Sequence, residues 1–403
     1  MMRVVVAGAG PAGMAAACRA AEAGARVTVI DDNPGPGGQI WRGDSGGAWF
    51  DRFRAAGVEF RAHTRVVDGD AGSRRLLLET DEGAAELGYD RLILATGARE
   101  LFLPFPGWTL PGVTGAGGLQ ALAKAGLAMA RKRVVVAGSG PLLPAAAVYL
   151  RSRGARIAAV VEQAPRARLA EVGAALLAFP SKLRQAGGMA LGLAGVPYRT
   201  GSWVEAAEGD SRVRQVRIHG LARPLECDYL AAGFGLVPNT ELASLLGCAV
   251  TRAGIVVDGD QRAMVDGISA AGECTGIGGL DLSVVEGEIA GLGAADARLA
   301  ARRRRARRFA RILARAFAPR TELRGLAGPS TLVCRCEDVP YQKLAGYASW
   351  REAKLQTRCG MGACQGRVCG AAGAFLFGWD HAGVRPPLLP VRIGTLLNPE
   401  ENA

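Results

Sequence analysis

Five of the nine cysteines fall in one C-terminal stretch, where their spacing suits the binding of a metal centre. Cys334 and Cys336 form a C-x-C pair, and a C-x4-C pair, Cys359 and Cys364, begins 23 positions later. Thiolates are soft ligands, and the glycines around the second pair let backbone N–H groups turn toward sulfur. The set predicts a 2Fe-2S cluster, favoured by the uneven spacing, or alternatively a structural zinc ion. Cys369 lies in the following helical pattern and is expected to be a packing residue.

A glycine-rich loop near residue 10 has the pattern that binds the pyrophosphate of a dinucleotide. The run Val4–Ala7 predicts a buried strand, G-x-G-x-x-G follows it, and an alanine-rich helix comes next. Such a helix start offers free N–H groups and a positive dipole end. Asp31 ends the next predicted strand, where an acid binds ribose hydroxyls. The dinucleotide-binding residues predicted from this pattern are Gly8, Gly10, Pro11, Ala12, Gly13 and Asp31.

The same pattern recurs in the middle of the chain in an altered form. A strand before Gly138 runs into G-x-G, and Glu162 keeps the spacing of the terminal acid. Leu143, however, stands where the third glycine would be, between helix and strand. A leucine there spreads the packing and fills space that a pyrophosphate needs. The sequence therefore argues against a working NAD(P)H site in this second fold.

Three further loops resemble those of the pyridine-nucleotide disulfide reductase superfamily. They are Gly38-Gln39 after the first acid, Ala95-Thr96-Gly97 after a buried strand, and Gly272-Glu273 after another. The resemblance implies that Gln39 contacts the flavin of FAD and that the Thr96-Gly97 turn closes over the cofactor. It also implies that Glu273 receives a ribityl hydroxyl. The FAD contacts implied in this way are Gly38, Gln39, Val66, Ala95, Thr96, Gly97, Gly272 and Glu273.

The order of these motifs predicts an α/β protein with two doubly wound dinucleotide-binding domains, the second inserted in the first, and a small helical C-terminal iron-sulfur domain. Residues 1–110 and 229–300 are expected to form the FAD-binding domain, and residues 111–228 an NAD(P)-binding-like domain. An Arg-rich linker helix is expected over 301–325. The 2Fe-2S domain and tail are expected over 326–403.

Nearly the whole chain resembles the FAD-containing α subunits of heteromeric flavin dehydrogenases, which act on opines or D-hydroxyproline or make hydrogen cyanide. The most specific pieces are Gly272–Gly279, Val285–Gly287 and Arg358–Arg367. The resemblance implies FAD, a 2Fe-2S domain similar to bacterioferritin-associated ferredoxin, and a hetero-oligomer. It also implies a partner β subunit, similar to D-amino-acid oxidases, that oxidises the C–N bond of an amino or imino acid. A small ferredoxin-like γ subunit is a further partner of such assemblies.

Composition excludes several other classes of function. The net charge of +12 is concentrated in residues 298–315, without the interleaved aromatic residues that stack on bases, so no nucleic acid is expected. This segment is interpreted as a solvated linker helix or a face that docks on an acidic partner. No apolar run reaches transmembrane length and no room precedes the first strand for a signal peptide, so a cytoplasmic protein is expected. His63 and His381 are isolated and are assigned no metal role.

Two enzymatic hypotheses and one structural hypothesis follow. The first is an oxidoreductase subunit that transfers electrons through FAD and a 2Fe-2S cluster. It is supported by Leu143 and by the absence of a redox cysteine pair after the Gly38-Gln39 loop. The second is a self-sufficient NAD(P)H-dependent oxidoreductase with the same two centres. The third is a structural partner with zinc at the cysteines and a nucleotide such as ATP in the first fold. Under the first hypothesis, the residues that select the substrate are expected to belong to the partner subunit.

Overall fold

The computed structural model describes residues 1–43, 47–380 and 383–397, so His381 lies outside the described residues. In the opening part of the chain the strands and helices are β1 (Arg3–Ala7), α1 (Pro11–Glu22), β2 (Arg26–Ile30), α2 (Ala48–Ala55), β3 (Glu59–Arg61), β4 (Arg65–Asp70), β5 (Arg75–Glu79), β6 (Ala84–Gly88), β7 (Arg91–Leu94) and β8 (Ala98–Glu100). In the middle they are β9 (Val113–Gly115), α3 (Ala116–Lys124), β10 (Arg133–Gly138), α4 (Leu142–Ser152), β11 (Arg156–Glu162), α5 (Arg166–Leu176), α6 (Pro180–Gly192), β12 (Tyr198–Thr200), β13 (Val204–Glu208), β14 (Gln215–Ile218), β15 (Leu225–Glu226) and β16 (Tyr229–Gly233).

The later elements return the chain to the first sheet and then form the cysteine-rich region. They are β17 (Leu236–Pro238), α7 (Glu241–Leu245), β18 (Val250–Thr251), β19 (Gly254–Ile255), β20 (Ile268–Ala270), α8 (Leu280–Leu292), α9 (Ala297–Ala316), β21 (Leu332–Cys334), β22 (Val339–Pro340), α10 (Trp350–Thr357), α11 (Cys369–Phe377) and α12 (Ile393–Leu397). Short 3-10 turns cover Glu273–Thr275, Thr321–Gly325 and Tyr341–Lys343.

The first compact unit comprises residues 1–99, 237–311 and 383–403. Its parallel sheet has the order β20-β7-β1-β2-β3, and β1 pairs with both β2 and β7. The last four residues of β1 are buried because both faces of a parallel sheet are covered. Helices α1 and α8 pack closely on this sheet. A Cβ on Gly287 would lie 2.2 Å from the Ala12 carbonyl oxygen, so only glycine permits this approach.

The second compact unit comprises residues 100–236 and 312–382. Its parallel sheet has the order β12-β11-β10-β16-β9. One apolar cluster, around Leu119 and Leu150, lies between this sheet and helices α3 and α4. A second cluster, around Phe105 and Val216, includes the antiparallel strands β13 and β14. Both faces of the sheet are therefore covered, as a doubly wound fold requires.

The second unit is inserted in the first, as the motif order predicted. The chain leaves the first sheet after β7 and comes back to it at β20, where Ile268 pairs with Leu92 in parallel register. The predicted fold class is confirmed. Residues 312–382, which include the cysteine-rich stretch, belong to the same compact unit as residues 100–236. The iron-sulfur domain expected over 326–403 stays a prediction.

The cysteine-rich stretch has a small core of its own within the second unit. Trp350 and Trp379 are buried beside Leu344, and the chain around them forms the β21–β22 hairpin and helices α10 and α11. Ser349 caps α10 by accepting the Glu352 backbone N–H at 3.2 Å. This core holds both cysteine segments against each other.

Across the described ranges, no helix has the length and apolar character needed to cross a membrane. Among the described helices, α9 is the longest, and it carries the arginine run.

Candidate functional site

The first glycine-rich loop lies at the carboxyl end of β1, against the turn that follows β7. Gly8 has a φ of +107°, and a Cβ there would lie 2.3 Å from the Ala95 carbonyl oxygen. A Cβ on Gly13 would lie 1.8 Å from the Gly8 carbonyl oxygen. Both glycines are therefore required by packing. The structure thus brings the Gly8–Gly13 loop and the Ala95–Gly97 turn together, as two neighbouring parallel strands must.

Gly10 differs from Gly8 and Gly13, because no atom of the described residues lies close to the position that its Cβ would take. A Cβ on Gly10 would meet only the Gly38 Cα, at 4.0 Å, which is ordinary van der Waals contact. Gly8 and Gly10 are partly exposed, and α1 begins directly afterwards at Pro11. A residue that packing does not require to be glycine, placed at a helix N-terminus, fits the close approach of a pyrophosphate. The first loop therefore fits a dinucleotide.

Asp31 directly follows β2 and holds the loop in place. Its Oδ2 accepts the Ala9 backbone N–H at 2.6 Å, and its Oδ1 accepts the Asn33 backbone N–H at 2.9 Å. The predicted Gly38 lies in the same group, since a Cβ on it would lie 2.9 Å from the Gly10 Cα. Gln39, next in the chain, is exposed.

The Thr96-Gly97 turn is fixed by a residue absent from the predicted contacts, Asn239. The Thr96 hydroxyl donates to the Asn239 carbonyl at 2.7 Å, and the Asn239 side-chain amide donates to the Thr96 carbonyl at 2.9 Å. The Asn239 backbone N–H also donates to the Gly97 carbonyl at 3.0 Å. Arg99 donates to the Asn239 Oδ1 at 2.7 Å. The Pro-Asn-Thr sequence after β17 was the signal that could have identified this positioning residue.

The Gly272-Glu273 turn lies at the end of β20, beside the start of α1. A Cβ on Gly272, which has a φ of +82°, would lie 2.7 Å from the Ala12 Cβ. Burial raises the pKa of Glu273, although its carboxylate accepts the Gly279 backbone N–H. The protonated form can donate a hydrogen bond and the ionised form only accepts one. Glu273 is thus suited to face a hydroxyl group.

Glu286 on α8 supports this turn from the interior. It is 1% exposed, and its Oε2 accepts the Gly272 backbone N–H at 3.2 Å and the Thr275 hydroxyl at 3.0 Å. Its Oε1 pairs with the Arg307 guanidinium at 2.8 Å. Arg307 belongs to the arginine run of α9, so part of that run binds inward.

Val66 is the remaining predicted FAD contact, and it lies on β4 of the small antiparallel sheet. Its partner across the β4–β5 ladder is Leu78. The side chain is half-buried and packs on the apolar cluster that contains Leu76 and Leu78. Its role toward FAD stays a prediction.

All five C-terminal cysteines lie in one region. The sulfur atoms of Cys334, Cys359 and Cys369 lie within 4.8 Å of one another, and all three residues are buried. Cys369 also shares a hydrogen bond with Cys364, which in turn shares one with the exposed Cys336. The structure thus brings the four predicted ligands together. It adds Cys369, which the sequence analysis expected to be a packing residue because it begins α11.

Neighbouring thiols and backbone amides give two of these cysteines strong thiolate character. Hydrogen bonds from Cys359 and Cys369 lower the pKa of Cys334 to about 2. A hydrogen bond from Cys369 lowers the pKa of Cys364 to about 5. Backbone N–H groups of Gly360 and Glu337 donate to Cys334 as well. Thiolates grouped in this way are the donor set that a zinc ion or an iron-sulfur cluster requires.

Glycines make the close approach of the two cysteine segments sterically feasible. A Cβ on Gly362 would lie 2.3 Å from the Cys336 Cβ, and one on Gly360 would lie 2.5 Å from the Trp350 ring. The Arg358 Nε donates to the Glu337 Oε2 at 2.8 Å and ties the segments together. The glycine-rich C-x4-C stretch therefore folds back over C-x-C.

In the second fold, Leu143 is fully buried in the cluster between helices α3 and α4 and the sheet. In the first fold Gly13 lets the helix and the strand lie close together. In the second fold Leu143 fills that contact, as expected from the sequence.

Comparison with known proteins identifies the class to which this site belongs. The model of the pyridine nucleotide-disulphide oxidoreductase family matches residues 2–290, which cover both nucleotide folds and their loops. The chain belongs to this family. It is therefore an oxidoreductase of a flavoprotein family, as the sequence analysis predicted.

Relatives of similar length support a finer relationship. Hydrogen cyanide synthase subunit HcnB of Pseudomonas aeruginosa is 35% identical, and the match covers 91% of each chain. The A subunit of opine oxidase from Rhizobium meliloti (strain 1021) is 32% identical over 97% of each chain. The predicted resemblance to such subunits is confirmed. The crystal structure of L-proline dehydrogenase from P. horikoshii shares the fold, with a TM-score of 0.72 at 20% identity, covering 98% of this chain and 79% of that one.

Proposed function

We propose that this chain is the electron-transfer subunit of a heteromeric dehydrogenase that oxidises the C–N bond of an amino acid, imino acid or opine. The observation that carries the proposal is the presence in one chain of a partly open dinucleotide loop at Gly10 and a buried group of thiols around Cys369. The full-length relatives support it, since both are named as subunits of larger enzymes. The C–N oxidation itself would belong to a partner subunit.

The first fold would hold FAD. Gly8, Gly10, Gly13 and Asp31 form the pyrophosphate and ribose end of the site, and Gly38, Thr96, Gly97 and Glu273 lie on loops in contact with that end or with α1. Bound FAD supplies two-electron chemistry that one-electron centres can follow. The chain's own residues would orient it: Asn239 holds the Thr96-Gly97 turn, and Glu286 with Arg307 holds the Gly272-Glu273 turn.

The cysteine group would hold a 2Fe-2S cluster, which supplies one-electron transfer. Four ligands must be drawn from five thiols. Contacts run from Cys336 to Cys364, from Cys364 to Cys369 and from Cys369 to Cys334. Cys359 shares hydrogen bonds with both Cys334 and Cys369 and contacts Cys364 through charge. We therefore keep Cys334, Cys336, Cys359 and Cys364 as the proposed ligands, with Cys369 as the alternative to Cys359.

Single Cys→Ala variants of the full chain, purified without oxygen, test this ligand set. Cys359→Ala is expected to lose iron, sulfide and the visible cluster spectrum, and Cys369→Ala is expected to keep them. The reverse pattern would place Cys369 in the ligand set instead of Cys359. A colourless wild-type protein that contains zinc would overturn the assignment of a cluster altogether.

Electron entry tests the function itself. The chain is purified with its native partner and mixed without oxygen with proline, hydroxyproline, opines or glycine, while the visible flavin band is followed. Bleaching is expected with the complex and one of these substrates, and none is expected with the chain alone. Rapid bleaching of the isolated chain by NADH or NADPH would instead support the self-sufficient reductase.

A further inference from the structure

The two glycine-rich nucleotide loops of this chain differ in their exposure to solvent. In the first loop Gly8 and Gly10 are partly exposed. In the second loop the matching residues, Gly138 and Gly140, are buried, and so is Ser139 between them. A helix N-terminus binds a pyrophosphate only if the ligand can reach its N–H groups. Something therefore covers the second loop.

The cover is a segment of the same compact unit, Phe317–Arg320, here called the covering segment. It directly follows α9. The Ser139 hydroxyl donates to the Phe317 carbonyl at 2.8 Å. A Cβ on Gly140 would lie 3.9 Å from both the Cβ and the Cγ of Phe317. The space that glycine leaves beside this loop is thus in contact with Phe317.

The Gln163 side-chain amide binds the covering segment through both its nitrogen and its oxygen. Its Nε2 donates to the Ala318 carbonyl at 3.1 Å and to the Ser139 hydroxyl at 2.9 Å, and its Oε1 accepts the Arg320 backbone N–H at 3.1 Å. Gln163 is fully buried, whereas Asp32, the residue after the acid of the first fold, is exposed. The position next to the acid therefore binds protein in the second fold.

Further contacts complete the cover. The Arg320 guanidinium lies over the Trp203 ring, 5.1 Å from its centroid, and pairs with Glu322. Glu162, also fully buried, accepts the Gly140 N–H at 2.8 Å and the Ala164 N–H at 2.9 Å. Asp31 accepts equivalent backbone bonds in the first fold, so these two bonds hold the loop and the covering segment is what distinguishes the second fold.

We propose that the covering segment closes the second dinucleotide-binding loop, so that neither NADH nor NADPH binds there. The residues present do not fit the pyridine nucleotide that the fold implies, because the covering segment lies against the loop at which the pyrophosphate would bind. One consequence rests on the proposed function: because this loop is closed, electrons reach the chain from a partner subunit.

Hydrogen–deuterium exchange of the full chain, measured by mass spectrometry, tests the closure directly. Peptides covering 138–143 and 317–322 are compared with and without millimolar NADH or NADPH. We expect slow exchange in both peptides and no change on adding either nucleotide. Nucleotide-dependent protection at 138–143 would overturn the proposal, whereas protection at 8–13 would report on the first fold only.

Gln163→Ala tests whether the cover is held as described. Because this variant removes both amide contacts, exchange over 317–322 should become at least about tenfold faster, which corresponds to about 1.4 kcal/mol. Gln215→Ala is the matched control, since Gln215 is bonded to Glu208 at 2.9 Å, away from the covering segment. Unchanged exchange in Gln163→Ala would contradict the proposal. Faster exchange in strand β10 as well would mean that Gln163→Ala disturbs the fold. Ser139→Ala, which removes the hydroxyl bonded to the Phe317 carbonyl, is then tested in its place.

The exchange experiment tests the closure of the second loop, and flavin reduction tests the electron source, so either proposal can fail while the other stands. Reduction of the isolated chain by NADH with an unprotected 138–143 peptide would defeat the proposed electron source but leave the closure standing. Protection at 138–143 without reduction of the flavin would defeat the closure alone.

Discussion

Gly10 and Gly13 belong to one sequence motif, yet the structure gives them different roles. Gly13 is required by the fold, because a Cβ there would lie 1.8 Å from a backbone oxygen. A Cβ on Gly10 would meet only the Gly38 Cα, at 4.0 Å, so packing does not require glycine there, whereas the close approach of a dinucleotide would. The motif alone could not separate a packing glycine from a binding glycine, because the distinction depends on neighbours distant in sequence.

We therefore expect Gly10→Ala to fold with little change in thermal stability and to bind FAD at least about tenfold more weakly, a loss of about 1.4 kcal/mol or more. Gly13→Ala should instead destabilise the folded chain itself. Flavin titration and thermal unfolding of the purified variants measure the two effects. Equal FAD affinity in Gly10→Ala and wild type would remove Gly10 from the site.

The cysteines show a second limit of the sequence at this scale. Spacing predicted that C-x-C and C-x4-C would meet, since closely spaced thiolates are ligands of a single zinc or iron-sulfur centre. Cys369 repeats the C-x4-C spacing after Cys364, but its position at a helix start suggested packing. Only the fold of the intervening glycine loop brings its sulfur within 4.8 Å of those of Cys334 and Cys359.

At the scale of elements, α9 is the helix whose role the sequence described least well. Its arginines were interpreted as a solvated or partner-facing run. In the structure Arg302 pairs with Glu288 at 2.7 Å and Arg307 pairs with Glu286 at 2.8 Å, both glutamates being almost fully buried on α8. A charge pattern gives the face of a helix but not the charges that meet it, so these inward pairs could not be predicted.

Arg307→Ala should therefore destabilise the chain by about 1–3 kcal/mol, since it removes the partner of the buried Glu286 Oε1, although the Arg307 side chain itself is partly exposed. The Gly272-Glu273 turn, which Glu286 supports, should loosen with it. Arg308→Ala, an exposed position on the same helix, is the control and should cost less than about 0.5 kcal/mol. Denaturant unfolding compares the two, and equal midpoints would show that the pair contributes nothing.

At the scale of the whole molecule, the sequence predicted the order of domains because each strand–loop–helix motif is local. It could not indicate that residues 312–382 group with the inserted unit, since that grouping rests on contacts such as the Trp108 indole N–H donating to the Leu332 carbonyl at 2.7 Å. The partner subunit is also a prediction at this scale, and α9 offers a way to test where it binds.

Arg304, Arg308, Arg311 and Arg315 are exposed on α9 at helical spacing, so they form one basic stripe. We expect charge reversal of Arg304, Arg308 and Arg311 to glutamate to weaken assembly with an acidic partner at least about tenfold. The wild-type complex should also weaken with salt, because exposed charges are screened over about 8 Å at physiological ionic strength. Size-exclusion chromatography and titration measure both effects.

Reversal of Arg54, Arg153 and Arg223, which are exposed elsewhere, changes net charge equally and serves as the control. Identical complex formation by the two triple variants would exclude the stripe as the contact.

The hydrogen bonds of Asn239 also bear on how the chain acquires its fold. Within the first unit, the Asn239 N–H reaches the Gly97 carbonyl at 3.0 Å, so the points where the insert departs and returns are adjacent. Within the second unit, Leu101 and Gly235 are joined by a backbone bond of 2.9 Å, so that unit brings its own ends together.

Once the inserted unit has folded, the first sheet no longer has to close a loop of well over a hundred residues to pair β20 with β7. It closes a short one, and the entropy cost of closure is smaller for a shorter loop. Folding of the inserted segment therefore lowers the entropy cost of completing the first sheet.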